Sequence, residues 1–384
     1  MLPTITKKDL ELINDLSSRT FSGNSMSSNA TGDERKLLKE VKNKLKEVAK
    51  EFKEKYDSDY GPFDYSATSG NPIAIGGTKL NRIWAGISKG AENKQYAAQI
   101  SFVIDPIKPC LNVGFYFGRA SARSLNVELR KKLENNLKKL GEILSNEIKE
   151  NEELNLRYNS LFDYGFRAIF KDERAEPKLW LDFISGEPKN SQIITQIYPN
   201  DEGYIDFKTI DLYVSMVICL MAPIPLSVND FQIKDQKLRN YKPFTAEQRA
   251  KKAERRTLIG EKGEIIVFNY EKERLNKLGL LNEKFPKHVA LELRYHDYDV
   301  LSCNEKGEEI YIEVKSTTRT KEDPESQKFH MTSNEYNYFL KNPTKYFLYR
   351  VYDVENNPQV EIVNMKSVKI NPNVFLIEIV NNEN

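Results

Sequence analysis

The sequence predicts two folded domains in succession, an α+β domain followed by an α/β domain with a central mixed sheet flanked by helices. Three observations carry that prediction. At 384 residues the chain is too long for one core of ordinary size, since domains run to roughly 150 residues. Along the first 226 residues the hydrophobic period switches repeatedly between helical and alternating spacing. From residue 258 the order becomes helix, three strands, helix, strand, which suits a mixed sheet because a parallel pair needs a crossover.

Composition narrows the class. Hydrophobic residues make up 39% and charged residues 30%, so each domain can bury a core under a solvated surface. A mean hydropathy of −0.60 and the lack of an 18-residue apolar run predict no membrane span. The longest apolar stretch, residues 212–226, contains Pro223 and Pro225 and reads as a buried helix and its exit. Residues 1–19 lack a charged start followed by an apolar centre, so no signal peptide is expected and the protein reads as cytoplasmic. Cys110, Cys219 and Cys303 are too scattered for a disulfide framework or a CxxC zinc site. The net charge of +2 predicts no partner by itself; the placement of the charges matters more.

Residues 1–30 read as a flexible N-terminal segment, with room for a short helix up to Leu16 before SSRTFSGNSMSSNATG. Leu37, Leu38, Val41, Leu45, Val48 and Phe52 predict a helix over 31–56, with Asp33 as N-cap. Residues 81–88, 95–105 and 111–118 alternate or run apolar between Gly, Pro and Asn, and read as antiparallel strands. Val127, Leu129, Leu133, Leu137, Leu140, Leu144 and Ile148 mark a second helix. Strand-like pieces at 166–170, 179–183 and 193–198 lead to an apolar helix near 209–222. Residues 31–226 therefore form the α+β domain, and residues 227–256 a basic connector with a net charge of +6 over 234–256. Such a run is either a solvated helix and linker or a phosphate-contacting segment whose affinity falls with salt. Residues 257–384 form the second domain: a helix over 263–278, strands at 289–293, 298–303 and 310–316, a helix opened by Thr332 or Ser333, and strands at 345–352 and 360–364.

The chemistry sits in YDVLSCNEKGEEIYIEVKS, residues 298–316. Side chains alternate along a strand, so Tyr311, Glu313 and Lys315 share one face while Ile310, Ile312 and Val314 form the apolar one. A tight turn near Gly307 lays the two strands together and brings Asp299 beside Glu313 and Lys315. Two carboxylates repel unless a cation sits between them. A hard divalent ion with oxygen ligands, Mg²⁺ by default and Mn²⁺ as substitute, meets that need, with the Val314 carbonyl as a further ligand. Such an ion activates water and neutralises phosphoryl charge, and a neighbouring lysine orients the water. An isolated E-x-K on a strand is commonly just a salt-bridged face; the preceding aspartate and the apolar alternate face lift this one above that. Asp297 competes with Asp299 for the aspartate position.

Asp299–x13–Glu313–Val314–Lys315 resembles the motif of the PD-(D/E)XK, or restriction-endonuclease-like, nucleases, with Tyr298 where that family often has proline. GEKGE–x6–E (260–271), YDVLS, IYIEVKST and FHMTSNE (329–335) extend the resemblance to a C-terminal nuclease-like module of unknown function common in bacterial defence proteins, over roughly residues 258–355. The resemblance implies a restriction-endonuclease-like fold, Mg²⁺ held by Asp299, Glu313 and Val314, and Lys315 assisting the water. It also implies a supporting role for Glu264, although a first-turn glutamate favoured by the helix dipole explains that residue equally well. Glu335 and Asn334 read as helix-start residues, and Gln327 and His330 are assigned no role. The IWAGI strand (83–87) and GFYFGR (114–119) weakly resemble the MrcB-like N-terminal domain, which implies recognition of target DNA. Trp84, Tyr116, Phe117 and Arg119 could clamp a base, but strand aromatics are more often core, and no base-reading residue is assigned.

There is no GxxxxGK[ST], since GNPIAIGGTK (70–79) has the wrong spacing, and the three histidines, 288, 296 and 330, form no HExxH. The sequence thus predicts a Mg²⁺-dependent DNA endonuclease of a restriction or phage-defence system. It would act on double-stranded DNA, as a homodimer and with defence-system partner proteins, away from membranes. Two other readings stay open: a structure-specific or RNA-directed nuclease, and a non-catalytic DNA-binding specificity component of a defence complex.

Overall fold

The computed structural model describes residues 3–20, 30–68, 80, 82–90, 93–122, 124–226, 244–289, 298–365 and 368. The chain is mixed α/β with several sheets and divides into two compact units, Met1–Arg256 and Thr257–Asn384. Residues 70–79, the 227–243 part of the connector, Asp297 and most of the strand expected at 289–293 lie outside the described residues. Among the described residues no helix is long and apolar enough to cross a membrane.

The first unit opens with strand β1 (Ile5–Thr6) and helices α1 (Lys7–Ser18) and α2 (Gly32–Tyr60). Strands β2 (Asp64–Ala67), β3 (Trp84–Ser88), β4 (Ala98–Ile104) and β5 (Leu111–Phe117) follow, then helices α3 (Val127–Glu150) and α4 (Glu152–Asp163). The hairpin β6 (Arg167–Phe170) and β7 (Glu173–Ala175), helix α5 (Pro177–Gly186), β8 (Ser191–Ile197), β9 (Tyr204–Ile205) and α6 (Phe207–Val217) complete it. Seven strands form one antiparallel sheet in the order β2-β3-β4-β5-β8-β6-β7. Its inward residues, among them Ile100, Phe102, Val113, Phe115 and Ile193, share a core with Leu45, Val48 and Phe52 of α2 and Trp180 of α5.

Three expectations are corrected here. The N-terminal segment is folded, not flexible, over residues 5–18: Ile5, Leu10, Ile13 and Leu16 are buried in that core, and β1 pairs with β9, Ile5 opposite Ile205. Helix α2 is capped by Thr31, not Asp33, because Thr31 and Glu34 exchange side-chain and backbone hydrogen bonds of 3.2 and 2.7 Å. Residues 179–183 are helical, not extended. Pro177 presets the first turn, and Trp180, Leu181 and Ile184 bury one face, with the Trp180 indole donating to the Ile169 carbonyl at 3.1 Å.

Helix α7 (Ala246–Lys277) runs across the boundary between the units, so the latter part of the expected connector is helix. In the second unit it is followed by β10 (Lys287–His288), β11 (Val300–Cys303), β12 (Glu309–Ser316), a 3-10 turn at Pro324–Gln327, helix α8 (Ser333–Lys341), β13 (Tyr346–Tyr352) and β14 (Gln359–Val363). The sheet order is β10-β11-β12-β13-β14, antiparallel except for the parallel pair β12/β13. Gly307, at φ +78°, makes the β11–β12 turn without Cβ strain. Val300, Ile312, Val314, Tyr349 and Val351 pack beneath Val267 of α7. On the same side Glu271, fully buried, accepts two bonds from Arg274 (2.9 and 2.7 Å), one from Ser302 Oγ (2.5 Å) and one from the Tyr349 hydroxyl (2.9 Å). These bonds lock α7 onto β11 and β13.

Leu10→Ala is expected to lower the stability of the first unit by about 2–5 kcal/mol. Glu11→Ala, at an exposed position of the same helix, should stay within about 0.5 kcal/mol. Thermal unfolding of the two variants beside the parent checks both.

Candidate active site

The register of β11 against β12 builds the site. Asp299 sits just before β11; its N–H donates to the Ile312 carbonyl at 2.9 Å, and its Oδ2 accepts the Val314 N–H at 2.7 Å. In an extended strand a residue's N–H and C=O face the same neighbour, so the Val314 carbonyl also lies on the Asp299 side. Tyr311, Glu313 and Lys315 project from the face opposite the core, and the parallel partner strand puts Tyr346, Leu348 and Arg350 in register with them. The Lys315 ammonium lies between two carboxylates, 2.7 Å from Glu313 Oε1 and 2.7 Å from Glu335 Oε2. The same Glu335 oxygen accepts the Thr332 N–H at 3.0 Å and closes the capping box of α8.

The site is partly buried and holds more acids than cations. Burial pushes the Asp299 carboxyl up to about 6, with the Glu264 and Glu335 charges acting the same way, against the Val314 N–H and Lys315. Glu313, 4% exposed, is pushed up to about 8 by burial and then by Asp299, with Lys315 only partly compensating. Burial alone would lower the Lys315 ammonium, but Glu313 and Glu335 outweigh it and hold it above its ordinary value. The Tyr346 hydroxyl is driven far up by burial and by Glu313, Glu335 and Asp299. Tyr298, Tyr311, Tyr338 and Tyr346 form an aromatic wall with ring centroids 4.9–6.1 Å apart.

Glu264 reaches the cluster from mid-helix. Because α7 begins at Ala246, the first-turn dipole explanation for this residue falls away. Glu264 Oε2 lies 2.8 Å from His288 Nε2, and the His288 ring stacks on Phe268. Gly263 makes this approach possible: a Cβ there would stand 1.6 Å from Ser316 Oγ and 2.7 Å from Ser316 Cβ. Glu271 lies two turns further along α7, so the network that holds it also sets the position of Glu264.

The structure therefore brings together Asp299, Glu313, Lys315 and the Val314 backbone, with Glu264 felt electrostatically by Asp299. Glu335 was missed because its capping role already explains it. The signal available was its place at the start of the helix that crosses between parallel strands, next to the site edge. His288 gave no sequence signal. Gln327 instead serves the 3-10 turn, accepting from the Tyr352 hydroxyl at 3.2 Å and donating to the Lys321 carbonyl at 2.8 Å. Arg350, 4% exposed, donates to the Ser326 carbonyl (3.1 and 2.7 Å) and lies over the Phe329 and Tyr352 rings, pinning that turn to the sheet. In the first unit Tyr116 and Phe117 are buried, Phe117 stacking on Trp180, while Trp84 is half-buried and Arg119 exposed.

Residues 263–363 match the family model described as Protein NO VEIN, C-terminal. That is a C-terminal module of unknown function, and it spans every residue of the cluster. No curated protein and no solved structure gives a significant match to the chain.

Among the described residues no three His, Cys, Asp or Glu side chains are grouped to hold a metal ion. The donor set that does converge is two carboxylates and a backbone carbonyl. Glu313 is buried and Asp299 half-buried, both are pushed towards the protonated form, and Asp299 Oδ1 makes no hydrogen bond among the described residues. That set fits a hard cation such as Mg²⁺, which keeps several waters and takes one or two carboxylates.

Two outcomes follow from this geometry. Gly263→Val should separate α7 from β12 and destabilise the second unit by about 1–3 kcal/mol, read by thermal unfolding. The raised Glu313 pKa means that the folded state binds more protons than the unfolded state between about pH 8 and its ordinary value of 4.5. Its contribution to stability is thus present below that ordinary value and lost as pH rises through the folded pKa. In EDTA, Glu313→Gln should raise the unfolding temperature at pH 8, and the gain should shrink as pH is lowered towards 4.5.

Proposed function

We propose that this chain is a Mg²⁺-dependent DNA endonuclease whose chemistry resides in the second unit. The observation that carries the reading is the convergence of Asp299, Glu313 and Lys315 at one end of the β11–β12 pair, with Lys315 clamped by a second acid, Glu335. The order of elements, one helix followed by three strands, a helix and a parallel return strand, supports a restriction-endonuclease-like assignment.

Asp299, Glu313 and the Val314 carbonyl would hold the ion. Bound Mg²⁺ supplies Lewis-acid polarisation of the phosphoryl group and a water acidic enough to attack it near neutral pH. Lys315 stays protonated between its two carboxylates, so it serves less as a base than as a fixed positive donor. It orients the attacking water and stabilises charge gathering on the phosphoryl oxygens. Glu335 keeps the ammonium in place when Glu313 is engaged elsewhere. The tyrosine wall excludes bulk water, which strengthens each of these interactions. Cutting both strands takes two such sites or two visits of one, and a homodimer would provide the two sites. Recognition of the target falls to the first unit, and action in a restriction or phage-defence setting in the cytoplasm, with partner proteins, belongs to the same proposal.

The deciding experiment is Mg²⁺-dependent cleavage of paired plasmids, unmodified and cytosine-methylated. Discrete fragments are expected from at least one plasmid. Glu313→Ala and Lys315→Ala should lose activity by about 100-fold or more. Glu335→Gln should lose about 10- to 100-fold, as partners that orient a functional group do. Failure to cut either plasmid, with Mg²⁺ and Mn²⁺ both tried, would sink the proposal.

A further inference from the structure

The first unit carries a cationic hollow that the candidate site does not use. Its volume is about 540 Å³, and it is lined by Tyr164, Phe244, Arg249, Lys252, Ala253 and Arg256. Its floor is aromatic: Tyr164 and Phe244 lie 5.9 Å apart, and Tyr164 is buried. Lys252 Nζ sits 5.6 Å above the Tyr164 ring and 2.7 Å from Asp163, and the Arg157 guanidinium covers Phe244 at 5.2 Å. Arg249 donates to the Phe244 carbonyl at 2.6 Å. Neither Arg249 nor Arg256 has a carboxylate partner among the described residues.

Positions 249, 252 and 256 fall at i, i+3 and i+7 on α7, so the three cations line one face of the helix. Seven residues of helix rise about 10 Å, and a DNA strand presents one phosphate per roughly 3.4 Å of axis. The stripe is therefore longer than a single anion and matches a polyanion that repeats its charge along its length. Arginines beside an aromatic floor also suit a phosphate backbone, which guanidinium groups meet with paired donors.

We infer that this hollow docks the sugar–phosphate backbone of a DNA strand and fixes the substrate on the first unit. The inference rests on the reading that DNA is the substrate, but not on cleavage, and binding separates the two. The full chain is titrated onto a labelled duplex in EDTA across a series of salt concentrations. The Arg249→Gln/Arg256→Gln variant is compared with Lys251→Gln, which removes a neighbouring cation paired with Glu254 outside the hollow. Circular dichroism confirms that each variant is folded, as expected with Arg249 and Arg256 exposed and Lys251 half-buried.

The double variant should bind at least about 10-fold more weakly, and the slope of log affinity against log salt should fall by about two, one for each phosphate no longer neutralised. Arg256→Gln alone should lower it by about one. A double variant that matches Lys251→Gln in affinity and slope overturns the inference. So does equal affinity of the parent for poly-glutamate, which would mark a general anion sink. A parent chain that binds no DNA overturns the DNA reading itself and this inference with it, whereas DNA binding without cleavage leaves the docking site standing.

Discussion

The organisation of the second unit turns on an excess of negative charge held in a place with little water. Glu313 and Glu335 flank one ammonium, with Asp299 close enough to Glu313 to raise its pKa, and like charges this close repel strongly where the dielectric is low. Nothing local relieves the conflict in full: the Val314 N–H steadies Asp299, and the Thr332 N–H steadies Glu335. What keeps the groups together is the scaffold behind them. The apolar face of β12 packs on Val267 and its neighbours, and the Glu271 network ties α7 to β11 and β13. Buried carboxylates that must either share protons or share a cation are a common device of functional sites.

Two kinds of buried charge can be compared within this unit. Glu271 is fully satisfied, with four donors on its two oxygens, and its role is to hold elements in place. Arg350 faces the same side of the sheet as Lys315, has a carbonyl and two rings as its partners among the described residues, and is drawn down to about 10 by burial. It braces the turn that follows β12. The acids around Lys315 are less fully hydrogen-bonded, Asp299 Oδ1 accepting no bond among the described residues, and both Asp299 and Glu313 are pushed towards the neutral form. That difference separates a frame from a site.

Much of this was legible before any coordinates. Strict alternation over residues 310–315 shows which side chains share a face, and the aspartate ahead of the turn follows from hairpin geometry. The limits of legibility were physical. Glu335 is explained completely by its helix cap, so nothing in the sequence asks for a second role. Glu264 looked like a first-turn residue because Gly260 and Gly263 resemble a helix boundary, yet the helix continues through both, and Gly263 is there for close packing against Ser316. Residues 179–183 are apolar enough for a strand, and only Pro177 hinted at a helix start. The stripe of Leu10, Ile13 and Leu16 leaves room for a short helix, but the polar run beside it gives no sign that this helix is tied into the core.

That N-terminal stripe has a consequence for how the chain comes into being. Strand β1 pairs with β9, its partner residue 200 positions later, and pairings of such long sequence separation form slowly because loop closure precedes any gain. During vectorial synthesis β1 and α1 must therefore wait for nearly the whole first unit before their apolar side is covered. Until then Leu10, Ile13 and Leu16 are available to chaperones or to neighbouring nascent chains. This piece of the first unit is made well before the strand that holds it in place.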